Sequence, residues 1–99
     1  MAYIVKYIGN CGKNSVDIRP LLSEDLKSGN KILLVCEKQY GARYYGDDVT
    51  VINSVQQAGE AKTPVMLLLT DKDARILAVD CAAVLNAAYC QVYIRYDGI

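Results

Sequence analysis

The stretch PVMLLLTDKDARILAVDCAAVLNAAY, from Pro64 to Tyr89, is the most apolar part of the chain and decides its fold class. Its first half, Val65 to Leu69, has no polar residue on either face, which is typical of a strand that is covered on both sides. Thr70 to Asp73 then provides a polar turn. We therefore expect a central strand, a return element after it, and the rest of the chain packed around both.

The residues that follow this turn, from 74 to 89, are compatible with two structures. As one long helix, it is capped at Thr70 or Asp71 and carries an apolar stripe. The residues of that stripe are Leu77, Cys81, Val84, Leu85 and Ala88. As a hairpin, residues 75–80 return as a strand and only residues 81–89 are helical. The long helix is favoured, because the charged ends of the 75–80 segment suit a central strand poorly, and the Ala-rich end is helical in both interpretations.

The remaining elements follow from periodicity and turn residues. Strands are predicted at residues 2–8, 31–37, 49–52 and 90–96, and short helices at 20–27 and, from a capping box of Asn53 or Ser54 with Gln57, at about 54–61. The last strand alternates apolar and polar residues and is expected at an edge. This order predicts one α/β domain over residues 1–99, with a mainly parallel sheet of four or five strands and two or three helices. The hairpin alternative would give an α+β domain with an antiparallel sheet.

Composition and charge exclude several classes of function but do not identify one. Eleven basic and eleven acidic residues cancel, so nothing supports binding to nucleic acid or to an anionic membrane. No apolar run approaches the span of a bilayer, and no secretory leader precedes the first strand, so a cytoplasmic protein without a membrane partner is expected. The absence of histidine excludes Ser-His-Asp and Cys-His nucleophiles and zinc sites that contain histidine.

The four cysteines include no Cys-x-x-Cys pair. Cysteine in a chain without a secretory leader is expected as a free thiol, and closely spaced pairs are usual in structural zinc sites. We therefore expect buried thiols, no disulfide framework and no cofactor. Cys11 is the thiol most exposed to solvent in this interpretation.

A loop from Gly9 to Ser15 follows the first strand and could bind an anion. Gly12 and Lys13 would supply backbone donors and a cation. The loop departs from a phosphate-binding P-loop, since Tyr7 stands at the place of the first glycine and Asn14 at that of the magnesium ligand. An ordinary Gly-Asn turn explains the loop better than an anion site does.

Three carboxylates follow two of the apolar strands. Glu37 ends the 31–37 strand, and Asp71 and Asp73 follow the 65–69 strand. If these strands are parallel neighbours, the carboxylates meet at the carboxyl edge of the sheet, where α/β proteins place ligands, and together they suit Mg²⁺.

Residues 31–96 also resemble the Toprim domain of topoisomerases, primases and small nucleases, through Leu33-Leu34-Val35-Cys36-Glu37 and Leu69-Thr70-Asp71-Lys72-Asp73. The resemblance implies magnesium-dependent phosphoryl transfer or nuclease activity, with Glu37 as acid/base and Asp71 and Asp73 as metal ligands. The chain departs from the family pattern where Lys38 replaces a glycine. Two shorter resemblances compete: residues 65–89 look like the opening hairpin of a PAS sensor domain, and residues 44–48 match the YGDD motif of viral RNA-dependent polymerases.

All eight aromatic residues are tyrosines, a residue type that is frequent at protein interfaces. Tyr3 and Tyr7 share one strand face, and Tyr93 and Arg95 share another, so these four are predicted interface residues. The main functional hypothesis is a small non-catalytic interaction or assembly protein, for example an accessory protein of a phage or mobile element, that binds itself as a homodimer or binds another protein. The Toprim-like enzyme is the alternative.

Overall fold

The computed structural model describes residues 2–10, 16–38, 42–43, 48–71 and 73–96. The strands are β1 (Tyr3–Asn10), β2 (Val16–Asp17), β3 (Lys31–Glu37), β4 (Ala42–Arg43), β5 (Val49–Ile52), β6 (Val65–Thr70) and β7 (Tyr89–Arg95). The α-helices are α1 (Ser23–Lys27) and α2 (Ala74–Val84), and two 3-10 helices span Arg19–Leu21 and Val55–Gly59. No helix within the described ranges reaches the length and apolarity that a membrane crossing requires.

Five strands form one sheet in the order β5-β6-β3-β1-β7, and every neighbouring pair is parallel. The predicted α/β class is confirmed, and so is the position of β3 beside β6. Continuous apolar sequence explains the central position of these strands, because parallel strands are covered on both faces. Two-residue strands β2 and β4 make a separate parallel pair.

Each face of the sheet has its own core. On the α2 side, Val5, Leu33 and Met66 pack against Ala74 and Ala78 of the helix. On the α1 side, the buried residues of the sheet pack against the segment that leads into α1 and against α1 itself. These residues are Ile8, Ile32, Leu34, Cys36, Val65 and Leu67 from the strands, with Ile18, Leu21, Leu22 and Leu26 above them. The alternation predicted for β1 is confirmed, with odd-numbered residues on the α2 side.

The long helix is the correct interpretation of the 75–80 segment, so the hairpin and its antiparallel sheet are wrong. The predicted ends of the helix are also wrong. The N-cap is Asp73, which lies in the left-handed region at φ 61° and makes no side-chain cap hydrogen bond. Asn86 is left-handed at φ 51° and ends the helix before the last alanines. Val84 is 76% exposed and does not belong to the buried stripe.

The two short predicted helices are shorter than expected. Residues 20–27 divide into a 3-10 turn and the five-residue α1, and the 53–61 segment is a 3-10 helix. The predicted capping box is absent, since Ser54 makes no side-chain cap and the Gln57 side chain accepts a hydrogen bond from the Asn53 backbone N–H instead (2.6 Å).

Candidate functional site: the β7 edge and the carboxyl edge of the sheet

Strand β7 ends the sheet on one side and exposes apolar side chains there. Ile94 is 65% exposed and Val92 is 39% exposed, although both lie on the α2 side of the sheet, level with Gly9 and Tyr7 of β1. The apolar half of an alternating strand normally faces the core. Here Val92 and Ile94 remain exposed, because α2 packs mainly over β1 and covers β7 only in part.

The backbone of β7 also has a free side. The Ala88 N–H donates to the Tyr3 carbonyl of β1 (2.8 Å), and the Ile94 carbonyl lies against Gly9 of β1. Successive backbone groups of a strand point to opposite sides. The N–H and C=O groups of Gln91 and Tyr93 therefore point away from β1, where no described strand pairs with them.

The close contact of β7 with β1 requires glycine at position 9. A Cβ atom added to Gly9 would lie 2.7 Å from the Ile94 carbonyl oxygen and 2.9 Å from the Tyr7 hydroxyl oxygen. Any side chain there would push β7 away from β1 or displace the tyrosine ring.

One flank of α2 continues the apolar surface of β7. The flank of α2 that faces away from β7 lies against the 3-10 helix Val55–Gly59. A groove of about 460 Å³ between the two helices is lined by Leu77, Val84 and Leu85. At about 100° of rotation per residue, Arg75, Val79 and Ala82 lie on the opposite flank, towards β7, and Arg75 is exposed. Val79 is 54% exposed, so this flank adds an exposed apolar side chain to those of Val92 and Ile94 on the same side of the sheet. We call Val79, Val92 and Ile94 the β7 apolar surface.

The opposite edge of the sheet is less accessible to another strand. Strand β5 has four residues, compared with seven in β7. Its Val51 is 46% exposed, but Val49 and Thr50 are half-buried and Ile52 is buried. Short edge strands limit pairing with other chains. The two edges therefore differ mainly in length and in the area of exposed apolar side chain.

The first residue of β7 is held by a buried ion pair on the α1 side of the sheet. Lys6 of β1 is 4% exposed, and its ammonium lies 2.7 Å from the Asp25 carboxylate of α1. The same ammonium donates to the Leu21 carbonyl, and the Tyr89 hydroxyl donates to the second oxygen of Asp25. This network joins β1, α1 and β7.

The ionisation of the network follows from its contacts. Burial acts to raise the pKa of Asp25, but hydrogen bonds from Lys6 and Tyr89 and the positive charge of Lys6 outweigh it, so the pKa lies below its ordinary value. The hydrogen bond to Asp25, together with partial burial, raises the pKa of Tyr89 to about 12. Asp25 is therefore an anion and Tyr89 a neutral donor at physiological pH.

The four predicted interface tyrosine and arginine residues occupy different environments. Tyr7 is 5% exposed, and Tyr3 is half-buried with its hydroxyl donating to the Ala58 carbonyl (2.8 Å). Tyr93 is half-buried on the α1 side, edge-on to Tyr96 with ring centroids 6.0 Å apart. Arg95 is exposed on the same side of β7. Only Tyr93 and Arg95 are thus placed on the edge strand, and their role at an interface stays a prediction.

The predicted carboxylate corner lies at the carboxyl ends of β3 and β6. Glu37 pairs in register with Thr70, so Asp71 follows on the strand next to Glu37. Strand β6 leads to α2 on one face, whereas β3 is followed by β4, which pairs with β2 next to Ile18 of the other core. Adjacent strands whose connections diverge in this way form the crevice in which α/β proteins bind ligands.

At this corner Glu37 is held by a hydrogen bond, whereas the other groups have no described partner among themselves. The Tyr7 hydroxyl donates to Glu37 Oε1 (2.6 Å), and burial, followed by this bond, raises the pKa of Tyr7 to about 12. The Thr70 hydroxyl oxygen is buried and has no hydrogen-bond partner within the described ranges. Asp71 and Asp73 are exposed. Across the residues that the structure describes, no three cysteine or acidic side chains are grouped so that they could hold a metal ion.

Several sequence predictions fall outside the described residues. These are the anion loop with Gly12 and Lys13, the thiol of Cys11, and all but Asp48 of the YGDD-containing segment. Of the other cysteines, Cys36 and Cys81 are buried free thiols, as predicted, and Cys90 is half-buried.

The Lys6–Asp25–Tyr89 network was not foreseen from the sequence. A lysine inside an otherwise apolar strand was visible at position 6, but its carboxylate partner Asp25 lies 19 residues along the chain, and Tyr89, which donates to Asp25, lies a further 64. Burial of lysine without a partner is costly, so the sequence did indicate that a carboxylate should accompany it. The identity of that carboxylate depends on how α1 packs on the sheet.

Comparison of the chain with protein-family models gives no match. Comparisons with curated proteins and with solved structures give no significant match either. The Toprim, PAS and polymerase resemblances therefore gain no support, and function has to be inferred from the residues themselves.

Proposed function

We propose that this chain is a non-catalytic assembly protein that associates with itself through the β7 edge. The observation that carries the proposal is a seven-residue edge strand with outward backbone groups beside exposed Val92 and Ile94. A long apolar edge of this kind pairs readily with other strands, and proteins that remain monomeric usually protect it by charge, proline or a covering element.

Strand β7 carries little such protection. It contains no proline, and Arg95 at its end is its single charged residue. The whole chain has a formal net charge of zero, so no overall repulsion opposes the approach of two copies. Both features favour self-association over a monomer.

Sedimentation of the chain over micromolar to millimolar concentrations tests the proposal. The expected result is a concentration-dependent shift from monomer to dimer. Val92→Lys should shift the equilibrium to the monomer, because it places a charge at the centre of the strand. Val51→Lys is the matched control on the β5 edge, and it should leave the dimer intact. A wild-type chain that stays monomeric throughout contradicts the proposal.

The second candidate function is the magnesium-dependent enzyme. It is supported by the register pairing of Glu37 with Thr70, which brings Glu37 and Asp71 to neighbouring strand ends. The described carboxylates are not grouped as a metal site, so we derive no catalytic step from them. Titration with Mn²⁺ or Mg²⁺, followed by amide NMR shifts, decides the case: shifts at Glu37 and Asp71 favour the enzyme, and no movement at millimolar metal excludes it. Asp48→Asn, away from this corner, is the control.

A further inference from the structure

We infer that two copies join their β7 strands antiparallel, across a two-fold axis at Val92, so that two five-stranded sheets become one sheet of ten strands. The inference rests on the proposed self-association and specifies its geometry. The surface involved is the outer edge of β7 with the adjoining flank of α2, and the partner is a second copy of the chain.

The backbone of β7 is symmetric about Val92 in the way that such pairing requires. The outward groups belong to Gln91 and Tyr93, one residue on each side of it. In an antiparallel ladder, two directly opposed residues can exchange both of their N–H···O=C bonds. In the dimer, Gln91 of each copy lies opposite Tyr93 of the other copy. These two residue pairs together form about four hydrogen bonds.

This register is the one that pairs the whole strand. With Val92 opposite Val92, all seven residues of β7 have a counterpart, whereas a shift by two residues in either direction leaves two of them unpaired. On the α2 side, it brings Cys90 opposite Ile94. It also sets the Arg95 side chains at opposite ends of the ladder, so that like charges do not meet.

Helix α2 supplies a second layer of contact. The β7 sides of the two helices would face each other across the axis, above the paired strands. Val79 and Ala82 lie on this flank with Arg75 at its N-terminal end, and Ala83 lies next to them on the outward face. The small alanines allow close approach, and the exposed Val79 then covers Val92 and Ile94 from above.

The size of this surface predicts a weak dimer. Strand β7 and the flank of α2 contribute roughly a dozen residues per copy, about half of the 20–30 found in a standard interface. The buried area is then on the order of 1,000 Å² in total, at the lower limit for a specific complex. We therefore expect dissociation constants in the micromolar range and a monomer at high dilution.

Disulfide trapping tests the register. In a Cys90→Ser background, Val92→Cys should form a cross-linked dimer under mild oxidation, because opposed residues of a non-hydrogen-bonded antiparallel pair have Cα atoms about 4.5 Å apart. Val51→Cys on β5 is the matched control and should cross-link far more slowly. The Cys90→Ser parent without the added cysteine gives the background rate.

Amide hydrogen exchange on the unmodified chain provides a second measurement. Protection of the Gln91 and Tyr93 amides should rise at least tenfold between dilute monomer and concentrated dimer, while the Val51 amide stays unchanged. A dimer in which the introduced cysteines do not cross-link and these amides stay unprotected overturns the ten-stranded arrangement alone. A chain that never dimerises overturns the proposed function as well.

Discussion

Lys6 and Asp25 show how one residue pair determines the position of three elements. The ammonium is buried beneath α1 and has two partners, the Asp25 carboxylate and the Leu21 carbonyl. A buried pair of this kind contributes modestly to stability while it is intact, but the loss of one partner leaves a charge buried without compensation. The role of the pair is therefore to fix α1 and the start of β7 relative to β1.

Asp25→Asn should lower the free energy of unfolding by about 3 kcal/mol, since Lys6 would then lie buried without its counter-ion. Asp17→Asn is the matched control, because Asp17 pairs with the exposed Arg19 (2.6 Å) and its replacement should cost much less than that of Asp25. Urea denaturation of both variants measures the difference. Equal losses for the two variants would contradict the structural role of the buried pair.

The raised pKa values of Tyr7 and Tyr89 predict that the protein loses stability at alkaline pH. Burial and the bond to Glu37 raise the pKa of Tyr7 from 10.0 to about 12, and the bond to Asp25 with partial burial does the same for Tyr89. A raised folded-state pKa contributes stability that is complete below the unfolded value and disappears as the pH rises through the folded value. Stability should therefore fall between pH 10 and pH 12.

Thermal unfolding across this pH range measures the effect. Tyr7→Phe should be less stable than the wild type at neutral pH, because the Glu37 carboxylate loses its hydrogen-bond donor. The stability of this variant should also fall less steeply above pH 10 than that of the wild type. If the stability of wild type and variant falls equally steeply with pH, then Tyr7 does not contribute to the loss of stability at alkaline pH.

Among the elements, α2 shows which features of a helix can be predicted from sequence. Its existence followed from apolar spacing and from the poor fit of Arg75 and Asp80 to a central strand. Its ends did not, because they depend on Asp73 and Asn86 adopting left-handed conformations. Asparagine and aspartate adopt this conformation more often than other non-glycine residues, but the sequence does not show which of several will do so.

Asn86 provides a test of the helix end. The Ala87 N–H donates to the Ala82 carbonyl (2.9 Å) and the Asn86 N–H to the Ala83 carbonyl (3.2 Å), which is a Schellman motif with Asn86 at its left-handed position. Asn86→Gly should raise the free energy of unfolding by up to about 1 kcal/mol, and Asn86→Ala should lower it by about 1 kcal/mol. Denaturant midpoints measure both changes. A destabilised glycine variant would contradict the left-handed conformation.

Strand β7 was predicted as an edge strand from its alternation, but the exposure of its apolar half was not. Alternation indicates which residues share a face, whereas exposure depends on how far α2 reaches across the sheet. For the same reason, the sequence suggested Tyr3 and Tyr7 as interface residues, and the structure places Tyr7 in the core and half-buries Tyr3. With no Phe or Trp in the chain, tyrosines fill core positions and direct their hydroxyls to Glu37 and Ala58.

At the scale of the whole molecule, α-helices and 3-10 helices pack on both faces of the sheet, and no described strand pairs with the outer side of β5 or β7. The β5 end is short, and the β7 end is long and apolar. The overall charge balance does not oppose association. These features of the fold, surface and charge are the support for the proposed interaction through the β7 edge.

Small-angle scattering as a function of concentration tests this claim most directly. The Cα radius of gyration of one copy is 12.0 Å. Two copies joined edge to edge have centres about 24 Å apart, five strand spacings of about 4.8 Å, which gives a radius of gyration of about 17 Å. We expect the measured radius to rise from the monomer value towards this one with concentration, and Val92→Lys to abolish the rise. A radius that stays at the monomer value up to millimolar concentration would contradict the account.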